Sequence, residues 1–286
     1  MSDQRTHYVT TSDGVTIGGT VHGEGPPLVF LQGAIGDCDL DWNRVVGHLT
    51  DRFTCYLPSL RGRGLSGDHP DLSVGRIIGD VVAYVDSIGE PAGLVGWSGG
   101  ASWALAAAAQ SDTVTAVAPF EPGMLGQADA RVQAVIGNAV ARTGELAAVG
   151  NLTAAVRAFA GFPFNDEEIA VAENIGYFEA AGRYVPNLLN LLQQAMESEE
   201  PYADPAVLGA IQAPVVVLLG SDTKPFFITS AKYVADHVPN ARVREVPGAG
   251  HAAPLTHPNA LAEALIDFFA PAQIRAASSA IPGQPA

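Results

Sequence analysis

The stretch GLVGWSGGASWALAAAA, residues 93–109, decides the fold of this chain. Its first part is a short apolar run ending at Trp97, which is typical of a strand buried on both faces. Its second part is rich in alanine and predicts a helix. Ser98 lies between them, flanked by Gly96 and Gly100 in a G-x-S-x-G pattern. Small flanking residues are required there because a tight strand-to-helix turn brings backbone segments together. The stretch therefore predicts a serine hydroxyl held above a sheet, beside the free N–H groups of a helix N-terminus.

Strands and helices alternate on both sides of this stretch. Most of the strands are short apolar runs, and the first two flank an Asp-Gly pair that favours a hairpin. Alternation of this kind predicts a mostly parallel, doubly wound sheet covered by helices on both faces. The predicted strands are 7–11, 15–22, 27–31, 53–57, 93–97, 114–120, 215–219 and 242–246, and the predicted helices are 41–49, 76–88, 101–109, 227–237 and 258–269.

The alternation stops between residues 121 and 213. This segment is rich in helical patterns, glycine and proline, and it contains no comparable buried strand. We interpret it as a helical insertion within one α/β domain, whose core is formed by residues 1–120 and 214–270. Residues 271–286 consist mainly of small and polar residues and predict a mobile tail.

Composition narrows the class of protein. The chain has 286 residues, 48% of them apolar, and a formal net charge of −15. This charge argues against nucleic acid and anionic membranes as partners. Cys38 and Cys55 give neither a disulfide framework nor metal-ligand spacing. The polar start lacks a secretory signal, and the apolar runs fall short of the ~20 residues of a membrane span. We expect a cytoplasmic protein that acts on a small molecule, and we leave its oligomeric state open.

Three further segments lie where a known family has its functional loops. They are Gln32-Gly33-Ala34 after the third strand, Arg61-Gly62-Arg63-Gly64-Leu65-Ser66 after the fourth, and Pro247-Gly248-Ala249-Gly250-His251 near the end. With the serine turn, they make the chain resemble the α/β-hydrolase superfamily over nearly all of residues 7–270. The resemblance implies the α/β-hydrolase fold, a cap formed by the helical insertion, and chemistry that needs no cofactor.

The resemblance also implies a nucleophile and a base. Serine is a weak nucleophile at neutral pH and needs a base within hydrogen-bonding reach. Ser98 is the candidate nucleophile. Among seven histidines, His251 alone follows a late strand in a glycine-rich loop that can reach over the sheet. The superfamily places its catalytic histidine at this point of the chain order.

Two carboxylates compete for the third position of the triad. A buried acid is needed to orient the histidine and to stabilise its protonated form. Asp222 follows the strand 215–219, where the superfamily usually has its acid, and we favour it. Glu121 ends the strand 114–120, which supplies the acid in some members, and it remains the alternative.

The oxyanion hole is expected to consist of two backbone N–H groups, those of Gly99 and Ala34. Gln32 stands where the superfamily commonly has histidine, so its amide is a candidate for substrate binding. Trp97, beside the nucleophile, is a second candidate, although it has an alternative role in packing on the sheet.

Two acidic clusters are interpreted more simply. Asp37, Asp39 and Asp41 alternate like part of a calcium loop but lack its glycine and closing glutamate. We expect them to be solvated residues at the start of a helix, where acids are favoured. The cluster 166–168 is expected to be a solvated face of the insertion.

These observations predict a serine hydrolase. It would cleave an ester, lactone or thioester of a small lipophilic or aromatic molecule through an acyl-enzyme on Ser98. Two alternatives remain open. The same triad supports carbon–carbon bond hydrolysis or cofactor-free oxygenation in this superfamily, and the fold also occurs in ligand-binding proteins without turnover.

Overall fold

The computed structural model describes residues 5–197 and 201–270. Its centre is one eight-stranded sheet with the strand order β1-β2-β4-β3-β5-β6-β7-β8. The first two strands form a hairpin, β2 is antiparallel to β4, and the remaining pairs are parallel. The prediction of a mostly parallel sheet is therefore confirmed. The strands are β1 (Arg5–Thr10), β2 (Thr16–His22), β3 (Pro27–Leu31), β4 (Thr54–Pro58), β5 (Ala92–Trp97), β6 (Val114–Phe120), β7 (Val215–Gly220) and β8 (Ala241–Val246).

Helices cover both faces of the sheet. The predicted core helices are all present, with ends that differ from the prediction by up to three residues. The helices are α1 (Cys38–Val46), α2 (Val74–Ser87), α3 (Gly99–Ala108), α4 (Ala130–Ala148), α5 (Leu152–Ala160), α6 (Asp166–Asn174), α7 (Tyr177–Ala181), α8 (Val185–Glu197), α9 (Pro205–Gly209), α10 (Pro225–His237), α11 (Ala253–Thr256) and α12 (Pro258–Phe269).

The hydrophobic core has two layers, one on each side of the sheet. One layer contains α1 and α12 together with several side chains of the insertion. The other contains α2, α3 and α10. The strands β3, β5 and β7 are buried along their whole length because both of their faces are covered. This explains why they are continuous apolar runs in the sequence.

Between β6 and β7 the described residues form helices α4 to α9 and short 3₁₀ turns, and they form no strand. Phe159, Phe164 and Tyr177 of this insertion share a core cluster with Trp97 of β5. The insertion therefore lies over the end of the central strands. None of the helices within 5–197 and 201–270 has the length and apolar character of a bilayer span. The predicted tail, 271–286, lies outside the described residues.

Gly96 provides a test of the packing at the turn. A Cβ atom on Gly96 would lie 2.3 Å from the carbonyl oxygen of Gly100, which is backbone and cannot rotate away. We expect Gly96→Ala to lower the free energy of unfolding by at least about 2 kcal/mol in urea denaturation. Gly137→Ala on α4 is the control, because a Cβ there meets nothing within 4 Å. It is expected to be neutral or to stabilise by up to about 1 kcal/mol. Equal effects of the two substitutions would contradict this account.

Candidate active site

Ser98 occupies the turn between β5 and α3 in a strained conformation. Its backbone has φ 57° and ψ −116°, a region that residues with a side chain seldom adopt. The Ser98 N–H donates to the carbonyl of Phe120 at 3.0 Å, and its carbonyl accepts from the Gly123 N–H at 3.2 Å. A Cβ on Gly100 would lie 2.3 Å from the carbonyl oxygen of Gln32. The turn is therefore packed tightly against both β6 and the loop after β3.

His251 and Glu121 form a buried pair. The two atoms Nδ1 of His251 and Oε2 of Glu121 lie 2.7 Å apart, and the side chains are 2% and 0% exposed. The second carboxylate oxygen of Glu121 accepts the Gly220 N–H at 2.9 Å, and the Thr223 hydroxyl donates to Oε2 at 2.8 Å. Glu121 thus has acceptor bonds on both oxygens. This arrangement fixes the orientation of the imidazole and leaves Nε2 as the nitrogen without a protein partner among the described residues.

Aromatic residues complete the surroundings of His251. The ring of Phe227 stacks on the imidazole with 3.8 Å between centroids and 16° between planes. The indole N–H of Trp97 donates to the His251 carbonyl at 2.8 Å. These contacts exclude water from one face of the imidazole, which strengthens its hydrogen bond to the carboxylate.

The geometry contradicts the choice of Asp222 as the acid and supports its alternative, Glu121. Asp222 is exposed, and its carboxylate accepts from the hydroxyl of the neighbouring Ser221 at 3.3 Å. The loop that contains Asp222 instead provides two hydrogen-bond donors to Glu121, from Gly220 and Thr223. The carboxylate that meets His251 therefore comes from the end of β6, and the loop after β7 holds it in place.

The remaining predicted groups meet at Ser98. Ser98 and His251 line one cavity, although their side chains are not hydrogen-bonded to each other in this structure. Catalytic hydrogen bonds in unliganded sites are often long and shorten when substrate binds. The N–H groups of Ala34 and Gly99 have no hydrogen-bond partner within the described parts of the chain. Both residues line the space around Ser98, so two free donors are available to a developing oxyanion.

We call residues 32–36 the oxyanion loop. The Gln32 side chain donates to the Gly36 carbonyl and accepts the Leu60 N–H at 2.8 Å. Both ends of this buried amide are therefore used on the backbone, and Gln32 does not line either cavity at Ser98. The prediction that its amide faces the substrate is corrected: Gln32 shapes the loop.

A buried aspartate and a buried arginine also bind the oxyanion loop, and the sequence patterns did not indicate this contact for either. Asp41 accepts the Gly33 N–H at 2.8 Å and the hydroxyl of Tyr177 at 2.8 Å. Arg63 donates through Nη1 to the carbonyls of Ala34 and Gly36, at 2.8 and 2.7 Å. Asp41 is wholly buried, which corrects the expectation of a solvated helix start.

The insertion touches the histidine loop as well. Glu168 on α6 accepts the Ala252 N–H at 2.6 Å, next to His251, and it also accepts the Asn165 N–H at 2.9 Å. Glu168 is 3% exposed, and burial raises the pKa of its carboxyl. The expectation that the cluster 166–168 is a solvated face is therefore wrong for Glu168.

Two cavities open at Ser98. We call the one that also contains His251 the proximal cavity; its volume is about 20 Å³. We call the larger one the cap cavity; its volume is about 100 Å³. Trp97 lines the proximal cavity and also packs within a core cluster. The proximal cavity is lined by Gly33, Ala34, Ile35, Trp97, Ser98, Phe159, Pro163, Phe164, Tyr177 and His251. The cap cavity is lined by Ala34, Val74, Ser98, Gly99, Trp103, Gly123, Leu125, Phe159, Phe162, Pro163, Leu191, Leu192, Ala195, Tyr202, Phe226 and Phe227.

The lining of both cavities is mostly apolar and aromatic, and it comes from core and insertion alike. Within the described ranges, no group of three or more histidine, cysteine, aspartate or glutamate side chains is placed to hold a metal ion. The polar groups that line the space around Ser98 include the two N–H donors and the imidazole. This set can accept a hydroxyl proton and bind a carbonyl oxygen that becomes negative.

Comparison with known proteins shows the family of the chain. The profile of the Alpha/beta hydrolase family matches residues 21–264, and the chain belongs to that family. A pyrrolizixenacetamide deacetylase from Xenorhabdus hominickii is 34% identical over 91 residues, which are 31% of this chain and 34% of the relative's length. The match thus spans about a third of that protein.

Solved structures extend the similarity to more than nine-tenths of the chain. An alpha/beta hydrolase from Sphaerobacter thermophilus DSM 20745 is 28% identical with a TM-score of 0.70, and the alignment covers 92% of this chain and 100% of that one. A putative aryl esterase from Burkholderia cenocepacia is 22% identical with a TM-score of 0.71, covering 96% and 100%. The second likeness shows the fold alone.

The buried carboxyl group of Asp41 predicts how the stability of the protein changes with pH. Burial raises the pKa of its carboxyl to about 7, against the hydrogen bonds from Tyr177 and Gly33 that lower it. Because this pKa lies above the ordinary value of 3.8, the native chain holds the proton more tightly than the unfolded chain. The contribution of Asp41 to stability is therefore greatest at low pH and falls as pH rises towards 7.

The substitution Asp41→Asn removes this titration. Between pH 5 and pH 8 its free energy of unfolding, measured relative to wild type in urea, is expected to rise by about 2 kcal/mol. Asp51→Asn, at an exposed position, is the control and should show no such trend. Parallel pH profiles for wild type and Asp41→Asn would show that the carboxyl does not titrate in this range.

Proposed function

We propose that this protein is a serine hydrolase that cleaves an ester, lactone or thioester bond in a small lipophilic or aromatic molecule. The observation that carries the proposal is the buried His251–Glu121 pair, 2.7 Å apart, in one cavity with Ser98. A histidine that is exposed to solvent does not need a buried carboxylate as a partner. Here an ionisable pair is placed in an apolar pocket beside a strained serine, which is the arrangement that nucleophilic catalysis requires.

The proposed reaction has two acyl-transfer steps. His251 removes the Ser98 proton while the hydroxyl oxygen attacks the substrate carbonyl, and the N–H groups of Ala34 and Gly99 stabilise the oxyanion. The protonated His251 then gives its proton to the leaving group, and an acyl-enzyme remains on Ser98. A water molecule, activated by the same imidazole, attacks this ester and releases the acid. Glu121 holds the Nδ1 side of the imidazole throughout and stabilises its positive form.

The two cavities suggest how a substrate is oriented. The leaving group must lie close to His251, which gives it a proton, and His251 lines the proximal cavity but not the cap cavity. The acyl group therefore extends into the larger cap cavity, among the aromatic and aliphatic side chains of the insertion and of α10. Burial of apolar surface contributes roughly 25 cal/mol per Å², so an apolar acyl group is favoured there.

The similarity to the deacetylase adds one substrate type for testing. The name of that relative describes removal of an acetyl group, and transfer of an acyl group to water is the reaction proposed here. Since the match covers only about a third of that protein, it supports adding an acetamide to a substrate panel. The cavity geometry carries the proposal.

The first experiment combines active-site labelling with turnover. Purified wild-type protein and the variants Ser98→Ala and His251→Ala are each treated with a fluorophosphonate probe and with p-nitrophenyl esters. The acyl chains of these esters have two to ten carbons. We expect labelling of Ser98, with turnover in both variants lowered at least about 10³-fold. Circular dichroism checks that the variants are folded. Activity should rise with acyl length until the cap cavity is filled.

Two other outcomes of this experiment would contradict the proposal. A folded wild-type protein that is not labelled contradicts the proposal and favours a binding protein of the same fold. Labelling of Ser98 without turnover of any ester in the panel contradicts the proposed ester cleavage and favours another reaction of the same triad, such as carbon–carbon bond hydrolysis.

The acid is tested with a pair of variants. Glu121→Gln keeps the size of the side chain but places an amide against Nδ1 of His251, so it favours the wrong tautomer. We expect kcat to fall about 10²- to 10⁴-fold, as for other triads that lose their acid. Asp222→Asn is the matched control and is expected to change kcat less than about twofold, because its side chain is exposed and accepts from the Ser221 hydroxyl rather than from His251. The reverse result would restore Asp222 as the acid.

A further inference from the structure

Arg63 is a buried cation without a carboxylate partner. Its side chain is 1% exposed, and within the described residues no carboxylate oxygen lies within 4.0 Å of its nitrogens. The neighbouring Arg61, by contrast, is paired with Asp13 and Asp80 at 3.0 and 2.7 Å. A buried guanidinium is costly unless polar groups surround it. The acceptors of Arg63 are two backbone carbonyls of the oxyanion loop and one side chain of the insertion.

These bonds hold the peptide group that matters for the proposed reaction. The N–H of Ala34 belongs to the peptide between Gly33 and Ala34. The preceding peptide is bound through the Gly33 N–H to Asp41, and the following one through the Ala34 carbonyl to Arg63. Since peptide groups are planar, binding on both sides restricts the rotation of the peptide between them. The direction of the Ala34 N–H therefore depends on Arg63.

The insertion reaches Arg63 through one residue of α8. The Nε–H of Arg63 donates to Oδ1 of Asn187 at 2.7 Å, and Nδ2 of Asn187 donates to the Arg61 carbonyl at 3.0 Å. Asn187 thus bridges the guanidinium and the backbone of the turn that carries it. When α8 is seated on the core, the guanidinium is held in the position that binds the loop. Nη2 of Arg63 is buried without a partner in the described structure, so Asn187 supplies an important part of its fixation.

We propose that Arg63 is a positioning residue that aims the Ala34 N–H at the oxyanion, and that Asn187 couples this alignment to the seating of the helical insertion. This inference rests on the proposed serine hydrolase function. Its consequence is that α8 affects the chemical step through a residue that lines neither cavity at Ser98.

The test uses substitutions with matched controls. Arg63→Lys keeps the charge but loses the planar fork that serves two carbonyls and Asn187. Asn187→Ala removes only the bridge, so it remains informative if Arg63→Lys does not fold. Asn187→Asp keeps an acceptor for the Arg63 Nε–H. Asn190→Ala is the control on the same helix, because Asn190 binds the Pro70 carbonyl and not the oxyanion loop.

We expect kcat on the best p-nitrophenyl ester to fall about tenfold in Asn187→Ala and about a hundredfold in Arg63→Lys, with KM within about threefold of wild type. Asn187→Asp should recover part of kcat, because its carboxylate accepts from Arg63 but has no donor for the Arg61 carbonyl. Asn190→Ala should match wild type. A trifluoromethyl ketone, which forms an oxyanion on Ser98, should lose affinity in proportion to kcat. The matching secondary alcohol, which forms no adduct, should bind all variants alike.

The outcomes that contradict this inference differ from the outcome that contradicts the proposed function. If the alcohol and the ketone lose affinity equally, the positioning role of Arg63 is overturned while the hydrolase remains. If Asn187→Ala behaves like Asn190→Ala, the coupling through Asn187 is overturned. If wild type shows neither labelling nor turnover, the proposed function itself fails. A selective loss of ketone affinity and kcat in Asn187→Ala supports the coupling.

Discussion

The tight backbone packing around Ser98 constrains the rest of the site. Gly96 and Gly100 have no Cβ, so β5, α3 and the oxyanion loop approach more closely than side chains would allow. The same turn binds β6 through the bonds Ser98–Phe120 and Gly123–Ser98. Glu121 follows directly after Phe120, so the strand end that supports the Ser98 turn also places the carboxylate that meets His251. One steric constraint thus sets the relative positions of Ser98, the Gly99 N–H and the Glu121 carboxylate.

Buried polar groups then connect this turn to the insertion. Glu121, Asp41 and Glu168 are buried carboxyl groups, and all of them accept backbone N–H bonds from loops at the site. Burying such groups is unfavourable unless they are satisfied. They therefore define one arrangement of the loops and make alternatives costly. Lys224, whose Nζ donates to the carbonyls of Gly161 and Phe162, ties the insertion to the start of α10 in the same way.

Local patterns in the sequence predict the sheet, its helices and the positions of Ser98 and His251. These patterns are an apolar run, a glycine-flanked turn and a late glycine-rich loop. The carboxylate that meets the imidazole could not be predicted in this way, since two strand ends carry a carboxylate and only the loop conformations decide between them. A glutamate directly continuing a buried strand was the available indication for Glu121. Burial of Asp41 and Glu168 is set by tertiary contacts with Tyr177 and Ala252, over 80 residues away in sequence, so local charge patterns mispredict them.

The insertion supplies two kinds of residues to the site. Phe159 and Leu191 form walls of the cap cavity, and Asn187 and Glu168 bind the loops that carry Arg63 and His251. Leu191 and Asn187 lie four residues apart on α8, on neighbouring turns of one helix. A shift of α8 that enlarges the cavity therefore also displaces the anchor of Arg63. It follows that substrate range and alignment of the oxyanion loop cannot vary independently through movements of α8, whereas side-chain exchanges in the cavity wall leave the anchor in place.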